Sequence, residues 1–100
     1  MKREIFNQYI EKLCALFNIT LEEFFTKTKN RDVVDARQML YYLCSKRNIT
    51  IGYIQKYLME KDFYTSHSTI SHSIKVMGKR AEKDKDYITV LNKIEKETTL

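Results

Sequence analysis

The sequence predicts an all-α fold, a compact bundle of five to six helices that contains a helix-turn-helix. Three observations favour this fold class. The 100 residues include no proline and only two glycines, apolar residues recur at intervals of three and four, and capping residues precede several of these stretches. An all-β sandwich needs more turn-forming residues. An apolar content of 43% suffices for a single domain spanning residues 1–100.

The first 25 residues contain two predicted helices. Apolar spacing predicts a helix over residues 3–17, with an inward face made of Ile5, Phe6, Tyr9, Ile10, Leu13, Leu16 and Phe17. Thr20 and Glu23 form a capping box, which predicts a second helix of about two turns beginning at Leu21. The apolar residues expected in that helix are Phe24 and Phe25.

A basic loop and a third helix are expected next. Residues 26–31, with the sequence TKTKNR, contain three basic residues and no acidic or apolar one, which is typical of an exposed loop. Asp32 is expected to cap a helix that runs to about Arg47. The apolar stripe of this helix consists of Val33, Ala36, Met39, Leu40, Leu43 and Cys44.

Two further helices flank a turn that carries two aromatic residues. Thr50 is expected to cap a fourth helix that ends at about Met59, with inward residues Ile51, Ile54, Tyr57 and Leu58. Residues 60–65 are expected to form the turn, and a fifth helix is expected over about 66–77. Gly78 weakens the fifth helix without necessarily ending it.

The C-terminal part of the chain is predicted to end in a sixth helix. The mixed charges of residues 79–86 are typical of a solvated helix face or a linker. The last helix is expected over about 87–97, with inward residues Tyr87, Val90, Leu91 and Ile94. Cys14 and Cys44 lie among apolar residues, which favours two buried, reduced thiols, because intracellular disulfides are rare.

We expect neither a membrane-spanning nor a secreted protein. No apolar run approaches the roughly 18 residues of a membrane span, and the charged start lacks the apolar centre of a signal peptide. The expected location is the cytoplasm. Met1 is compatible with a complete small gene product and equally with an excised domain, and the sequence leaves the oligomeric state open.

The predicted fifth helix has an unusual polar surface. Residues 65–73, TSHSTISHS, offer hydroxyl groups and two histidines where surface helices prefer Glu, Lys, Gln and Ala. Short side chains let a helix approach closely, and Ser and Thr hydrogen-bond base edges or phosphates in a DNA major groove. The alternative is a poor helix start with no partner. The order of short helix, turn and polar helix favours a helix-turn-helix with its recognition helix at about 66–77.

Enzyme and metal chemistry find little support. His67 and His72 are five residues apart, whereas two metal ligands on one helix face are three or four apart. No acidic or oxyanion motif accompanies a serine of this helix as a nucleophile. The prediction is therefore no enzyme, no metal and no cofactor. Core or rim positions, rather than a stacking platform for single strands, are expected for Tyr41, Tyr42, Tyr53, Tyr57 and Tyr64.

Three segments in order resemble one family. They are ITLEEFFTKTK at residues 19–29, Ala36-Arg37-Gln38-Met39, and His67-Ser68-Thr69-Ile70-Ser71-His72. They resemble, in turn, a short helix with a basic loop, the start of a long helix, and the recognition-helix signature H-(T/S)-T-(V/I)-x-H. From Ile5 to about Ile94 the chain thus resembles the C-terminal DNA-binding domain of the bacterial replication initiator DnaA. That domain is all-helical, akin to the Trp repressor, and contains a helix-turn-helix. The resemblance also implies a bacterial or phage protein that associates with the nucleoid.

The resemblance implies contacts for the loop and for the third helix. The loop of the family inserts an arginine into the minor groove, and Lys29 occupies the matching position here, with Lys27 and Arg31 beside it. Arg37 and Gln38 match residues that grip the phosphate backbone. An intramolecular ion pair of Arg37, with Glu23 or with Asp35, is the alternative for that residue.

The resemblance also implies contacts for the recognition helix. His67 and Ser68 match the pair that reads bases in the major groove, largely through thymine. Thr69 and His72 match positions that contact the DNA backbone, and Lys75 lies one turn further on.

The chain departs from the family just before this helix. The family has Gly-Gly-Arg-Asp there, whereas this chain has Phe63-Tyr64-Thr65-Ser66 in a longer turn, so Thr65 and Ser66 join the candidate DNA contacts. The bidentate contact of arginine with guanine, worth ~1–3 kcal/mol, is therefore missing, and the usual initiator box is not assumed as the target. The 100 residues contain no G-x-x-x-x-G-K-[S/T] motif, so they do not themselves bind ATP through a P-loop.

Two functions from different classes follow. The first is a sequence-preferring protein that binds double-stranded DNA, with the recognition helix in the major groove and loop 26–31 at the minor groove or backbone. Its role would lie in the control of replication or transcription. The net charge of +5 matters less here than its placement in the acid-free loop 26–31. The second is an adaptor that keeps the fold without specific DNA binding and contacts a replication or host protein through the aromatic stretch 53–64.

Overall fold

Six α-helices make up the part of the chain that the structure describes, residues 2–98. In this computed structural model they are α1 (Lys2–Phe17), α2 (Leu21–Phe24), α3 (Arg31–Lys46), α4 (Ile51–Met59), α5 (His67–Lys83) and α6 (Lys85–Glu97). The Cα radius of gyration is 12.3 Å, close to the ~13 Å of a compact chain of this length. The predicted all-α bundle is confirmed, and Met1 lies outside the described residues.

The central helix is α3. It packs against α1 and against α5, and these are the two most extensive helix contacts among residues 2–98. The side chains that meet there are fully or almost fully buried: Phe6, Tyr9 and Leu13 of α1, Ala36, Leu40 and Leu43 of α3, and Ile70 and Met77 of α5. The apolar stripes predicted for these three helices therefore form one shared core.

Three helices, α1, α3 and α4, end in the same way. A residue with left-handed backbone follows each helix, namely Asn18 (φ 54°), Asn48 (φ 61°) and Asp62 (φ 60°). The next amide bonds back to a carbonyl of the helix, with N–O distances of 3.0 Å (Ile19 to Cys14), 2.9 Å (Ile49 to Cys44) and 3.0 Å (Phe63 to Leu58). This is the Schellman arrangement, in which an apolar residue after the turn packs back on the helix. Asn and Asp replace the usual glycine, so a chain with only two glycines still turns sharply.

The tripeptide Asn-Ile-Thr builds the first two of these connections, at residues 18–20 and 48–50. Its asparagine turns the chain, its isoleucine contacts the core, and its threonine caps the next helix. The predicted capping box at α2 is confirmed, because Thr20 Oγ1 accepts from Glu23 N and Glu23 Oε1 accepts from Thr20 N, both at 3.0 Å. Thr50 caps α4 as predicted, accepting from Tyr53 N at 3.4 Å.

The expected boundaries of the basic loop were wrong at its C-terminal end. Arg31 is the first residue of α3 rather than a loop residue, and Asn30, not Asp32, is the cap. The reason is that Asn30 Oδ1 accepts from the Asp32 amide at 3.0 Å, so the cap lies two residues earlier than expected. At the other end, Phe25 follows α2 as its C-cap instead of lying within it. The exposed basic loop, as the term is used below, is residues 26–30.

The last two helices are longer than expected. Helix α5 continues through Gly78 to Lys83, because the buried Met77 and Ala81 keep it packed on the core. Helix α6 begins at Lys85 instead of residue 87. The charge run at 79–86 is therefore mostly helix, interrupted at Asp84, whose carboxylate caps α6.

Burial follows the predicted faces with a few exceptions. Leu16 is 49% exposed, at a groove between α1 and α6 that the half-buried Val90 does not close. Cys14 and Cys44 are buried and carry no disulfide, as expected. No helix within the described residues combines the length and the apolar character needed to cross a membrane.

The left-handed backbone at Asn48 leads to a prediction about the free energy of unfolding. Asn48→Ala should lower the free energy of unfolding by about 1 kcal/mol, because a Cβ strains a residue with positive φ unless its side chain bonds locally. Asn48→Gly should change it by less than about 0.5 kcal/mol, because glycine adopts this conformation without strain. Urea unfolding of the three proteins measures both values, and equal stabilities of the alanine and glycine variants would contradict this account.

The buried hydroxyl of Tyr9 leads to a prediction about the free energy of unfolding at high pH. Its hydroxyl is buried and has no hydrogen-bond partner among the described residues, so Tyr9→Phe should leave the free energy of unfolding at pH 7 unchanged or raise it by up to ~1 kcal/mol. Burial raises the pKa of Tyr9 to about 12. The unfolded phenol ionises near pH ~10, so the stability due to Tyr9 is complete below that pH and is lost as the pH rises toward 12.

Urea unfolding at pH 8 and pH 11 checks this expectation. The wild type should lose more stability between the two pH values than Tyr9→Phe does. Tyr64→Phe, at an exposed tyrosine, is the control and should behave like the wild type. An equal alkaline loss in the wild type and in Tyr9→Phe would show that Tyr9 does not carry the effect.

Candidate nucleic-acid interface

The N-terminal half of α5 presents the polar surface that the sequence predicted. Ser66 caps the helix, because its Oγ accepts from the Thr69 amide at 3.0 Å and lies 2.8 Å from Thr69 Oγ1. Ile70, Ser73 and Met77 face the core. The exposed side chains of this half-helix are His67, Ser68, Thr69, His72 and Lys75.

A groove between α3 and α5 brings together six of the candidate residues. Its walls carry Arg37 and Gln38 from α3, Thr65 from the turn, and Ser68, Thr69 and His72 from α5. The Oε1 atom of Gln38 is buried and has no hydrogen-bond partner within residues 2–98, so this amide has unused hydrogen-bonding capacity beside the groove. Lys75 lines a different groove, between α5 and the start of α4.

The basic loop runs beside the turn that precedes α5. Lys27 Nζ lies 5.8 Å from the centre of the Phe63 ring, and Lys29 is exposed. Arg31, on the first turn of α3, is 78% exposed at its side chain and lies 3.7 Å from the Asp35 carboxylate. Lys27 of the loop thus lies near the turn that leads into α5.

The half-buried Arg37 donates to two backbone carbonyls of the protein itself. Its Nε donates to Phe24 O at 3.0 Å and its Nη2 donates to Thr26 O at 2.5 Å. Its guanidinium carbon lies 4.8 Å from the centre of the Phe63 ring, a cation–π distance. Burial lowers the pKa of Arg37.

The alternative considered for Arg37, an ion pair with Glu23 or Asp35, is not what the structure shows. Glu23 is engaged in the capping box of α2. Asp35 accepts from Arg80 Nη1 at 3.1 Å and lies near Arg31 instead. Carbonyls at the end of α2 take the guanidinium because α2 ends directly against α3, a placement that the sequence does not disclose.

Two residues that organise this region were missed from the sequence. Phe63 is 4% exposed and packs at the junction of the loop, α3 and the turn. Gln55 of α4 donates through Nε2 to Thr65 O at 3.1 Å, which fixes the end of the turn. A signal for Phe63 existed, since Asp62-Phe63 follows α4 just as Asn-Ile follows α1 and α3.

A family model described as the bacterial DnaA protein helix-turn-helix matches residues 7–77 of this chain. The chain belongs to that family. The matched residues include α4, the turn and the polar half of α5, and they end before the last turns of α5. The resemblance stated from the three sequence segments is therefore confirmed.

Two relatives illustrate the similarity. The chromosomal replication initiator protein DnaA of Bacteroides fragilis is 31% identical over 87 residues, which cover 86% of this chain and 17% of the relative. The protein of the same name from Flavobacterium psychrophilum is 28% identical over 102 aligned residues, covering 100% of this chain and 20% of the relative. The chain thus spans about a fifth or less of these relatives. No solved structure shows a significant match.

At the start of α5 we expect Ser66 to stabilise the fold and His67 to contribute little to stability. Ser66→Ala should lower the free energy of unfolding by about 1 kcal/mol, because the Thr69 amide loses its capping oxygen. His67→Ala, one residue later, should change it by less than about 0.5 kcal/mol, because His67 is exposed. Thermal or urea unfolding tests both values, and a loss at His67 as large as that at Ser66 would contradict the assignment of His67 to a free surface.

Proposed function

We propose that this chain binds double-stranded DNA with a preference for particular sequences and acts in the control of replication or transcription. Membership of the DnaA helix-turn-helix family supports DNA binding. In such a motif the second helix enters the major groove with its N-terminal residues at the base edges. Helix α4, the turn and α5 have that order, so α5 is the recognition helix of the proposal.

The observation that carries the proposal is the chemistry of the exposed N-terminal surface of α5. Residues 65–75 carry hydroxyl, imidazole and ammonium groups and no carboxylate. The basic loop, also without a carboxylate, lies across the same turn. A surface that enters a polyanionic groove needs short donors and positive charge, and a carboxylate there would repel the phosphates.

The proposed contacts follow from these positions. His67 and Ser68 meet base edges, and Lys29 enters the minor groove or contacts the backbone. The remaining proposed contacts to phosphate or sugar are Lys27, Arg31, Gln38, Thr65, Ser66, Thr69, His72 and Lys75. Arg37 enters the proposal through its hold on the basic loop. The proposal concerns duplex binding only, because the chain matches no more than a fifth of the initiator proteins compared with it.

An adaptor function is the second candidate. Tyr53, Met59 and Tyr64 are 42%, 52% and 57% exposed, which places three large apolar side chains of the stretch 53–64 at the surface. Exposed aromatic and methionine side chains are enriched at protein interfaces. Phe63 and Tyr57 of the same stretch are buried, so only part of it is available to a partner.

Removing one side chain from each DNA-contacting element tests the proposal. Lys29→Ala and His67→Ala should each weaken duplex binding by about tenfold, since a hydrogen bond involving a charged group contributes ~1.5–3 kcal/mol. Lys29→Ala should also reduce the slope of log K against log salt by about one, because one phosphate contact is lost. Duplexes selected from a random pool supply the target, and fluorescence anisotropy measures the affinity.

Lys93→Ala is the matched control, because Lys93 is exposed on α6 beside α1 and away from the proposed interface. It should leave both affinity and salt slope unchanged. Unchanged affinity in both Lys29→Ala and His67→Ala would overturn the proposed contacts. Absence of any mobility shift with random duplex at low salt would overturn DNA binding and favour the adaptor.

A further inference from the structure

We propose that Arg37 and Phe63 are positioning residues, which hold the basic loop against the start of α5 so that both elements meet a duplex as one rigid surface. The inference rests on the proposed function, because it concerns how the same two DNA-contacting elements are arranged. It differs from the role implied by the DnaA resemblance, in which the residue at position 37 grips the phosphate backbone.

Arg37 ties the basic loop to α3. The carbonyl oxygens it binds belong to Phe24, the last residue of α2, and to Thr26, the first residue of the loop. Hydrogen bonds from a charged donor are roughly twice as strong as neutral ones. The planar guanidinium uses two of its three nitrogens on these carbonyls, so it holds both the position and the direction of the chain that leads into the loop.

Phe63 holds the turn before α5 against Arg37 and the start of the basic loop. Its ring centre lies 4.8 Å from the Arg37 guanidinium carbon, 5.8 Å from Lys27 Nζ and 6.3 Å from the Phe25 ring centre. The helix end at Asp62 brings it there, because the residue after a left-handed turn packs back on its helix. One buried ring therefore contacts the end of α2, the loop and α3.

The connection from Phe63 to α5 is short, and hydrogen bonds of Gln55 and Ser66 fix its conformation. Three residues separate Phe63 from His67, the first residue of α5. Gln55 fixes the carbonyl of Thr65, and Ser66 caps the helix. A shift of the loop relative to α5 would therefore break the Arg37 hydrogen bonds or displace a buried aromatic ring.

This arrangement makes Arg37 unsuited to releasing its guanidinium toward a phosphate. Nε carries a single hydrogen, so a phosphate contact through Nε would break its bond to Phe24 O and loosen the chain that leads to Lys29. Holding the loop in place before binding instead lowers the conformational entropy that DNA binding must remove. The proposal therefore gives Arg37 a tethering role in binding.

The first experiment needs no DNA. Backbone order parameters from NMR relaxation are measured at residues 27–29 in the wild type, Arg37→Lys and Phe63→Leu. Arg37→Lys keeps the charge but not the fork of donors, and Phe63→Leu keeps an apolar side chain at the helix end. The wild-type values should be about 0.85, and both variants should fall toward about 0.6 at these residues.

Arg80→Lys is the matched control for this experiment. Arg80 also joins two helices through a guanidinium, because its Nη1 donates to Asp35 at 3.1 Å, but it does not touch the loop. Order parameters at residues 27–29 should be unchanged in Arg80→Lys. Wild-type values retained at the loop in both Arg37→Lys and Phe63→Leu would overturn the inference. If Arg37→Lys fails to fold, the order parameters of Phe63→Leu alone test whether the loop is tethered.

The second experiment is a double-mutant cycle on duplex binding. Lys29→Ala should cost about tenfold in the wild type and in Arg80→Lys, but less than about twofold in Arg37→Lys and Phe63→Leu, because the lysine is no longer held at the DNA. An equal cost of Lys29→Ala in all four backgrounds would overturn the positioning role. A wild type that binds no duplex would overturn the proposed function instead, and the order parameters would still decide whether the loop is tethered.

Discussion

Burial of α3 against both α1 and α5 is the constraint on which the rest of the molecule depends. Ala36, Leu40 and Leu43 are inaccessible to solvent, so α3 has one orientation in which its apolar stripe is covered. That orientation turns Arg37 and Gln38 toward the end of α2 and the start of α5. The buried Asp35, paired with Arg80 at 3.1 Å, adds a second connection between α3 and α5 without leaving its charge unpaired.

The ends of the helices determine how the chain turns between them. A left-handed Asn or Asp and an apolar residue after it close α1, α3 and α4, so the chain reverses without proline and without glycine in these turns. In the first two connections the next residue already caps the following helix, whereas two extra residues, Tyr64 and Thr65, intervene before α5. The resemblance to the family implies a guanine-reading arginine in this stretch. This chain instead has a buried ring, Phe63, followed by an exposed one, Tyr64.

Local signals were sufficient for much of the fold and for part of the site. Capping by Thr20, Thr50 and Ser66 depends on contacts within three residues, and the apolar faces depend on a period that is visible in the chain. The start of α3 was misplaced because Asn30 and Asp32 are both good caps, and local preference does not choose between them. The partners of Arg37 escaped prediction because they are backbone carbonyls 13 and 11 residues away, and any residue type provides a carbonyl.

The sequence by itself determined the helical class, most helix starts and the polar chemistry at the start of α5, because each is set by neighbours within one or two turns. The three DnaA-like segments also sufficed for the family, which the match over residues 7–77 shows. Only the tertiary structure decided that α3 and α5 share a groove, that Phe63 is buried beside the basic loop, and that Arg37 binds its own backbone. These outcomes depend on which distant surfaces meet when the core is buried, and burial is a property of the whole chain.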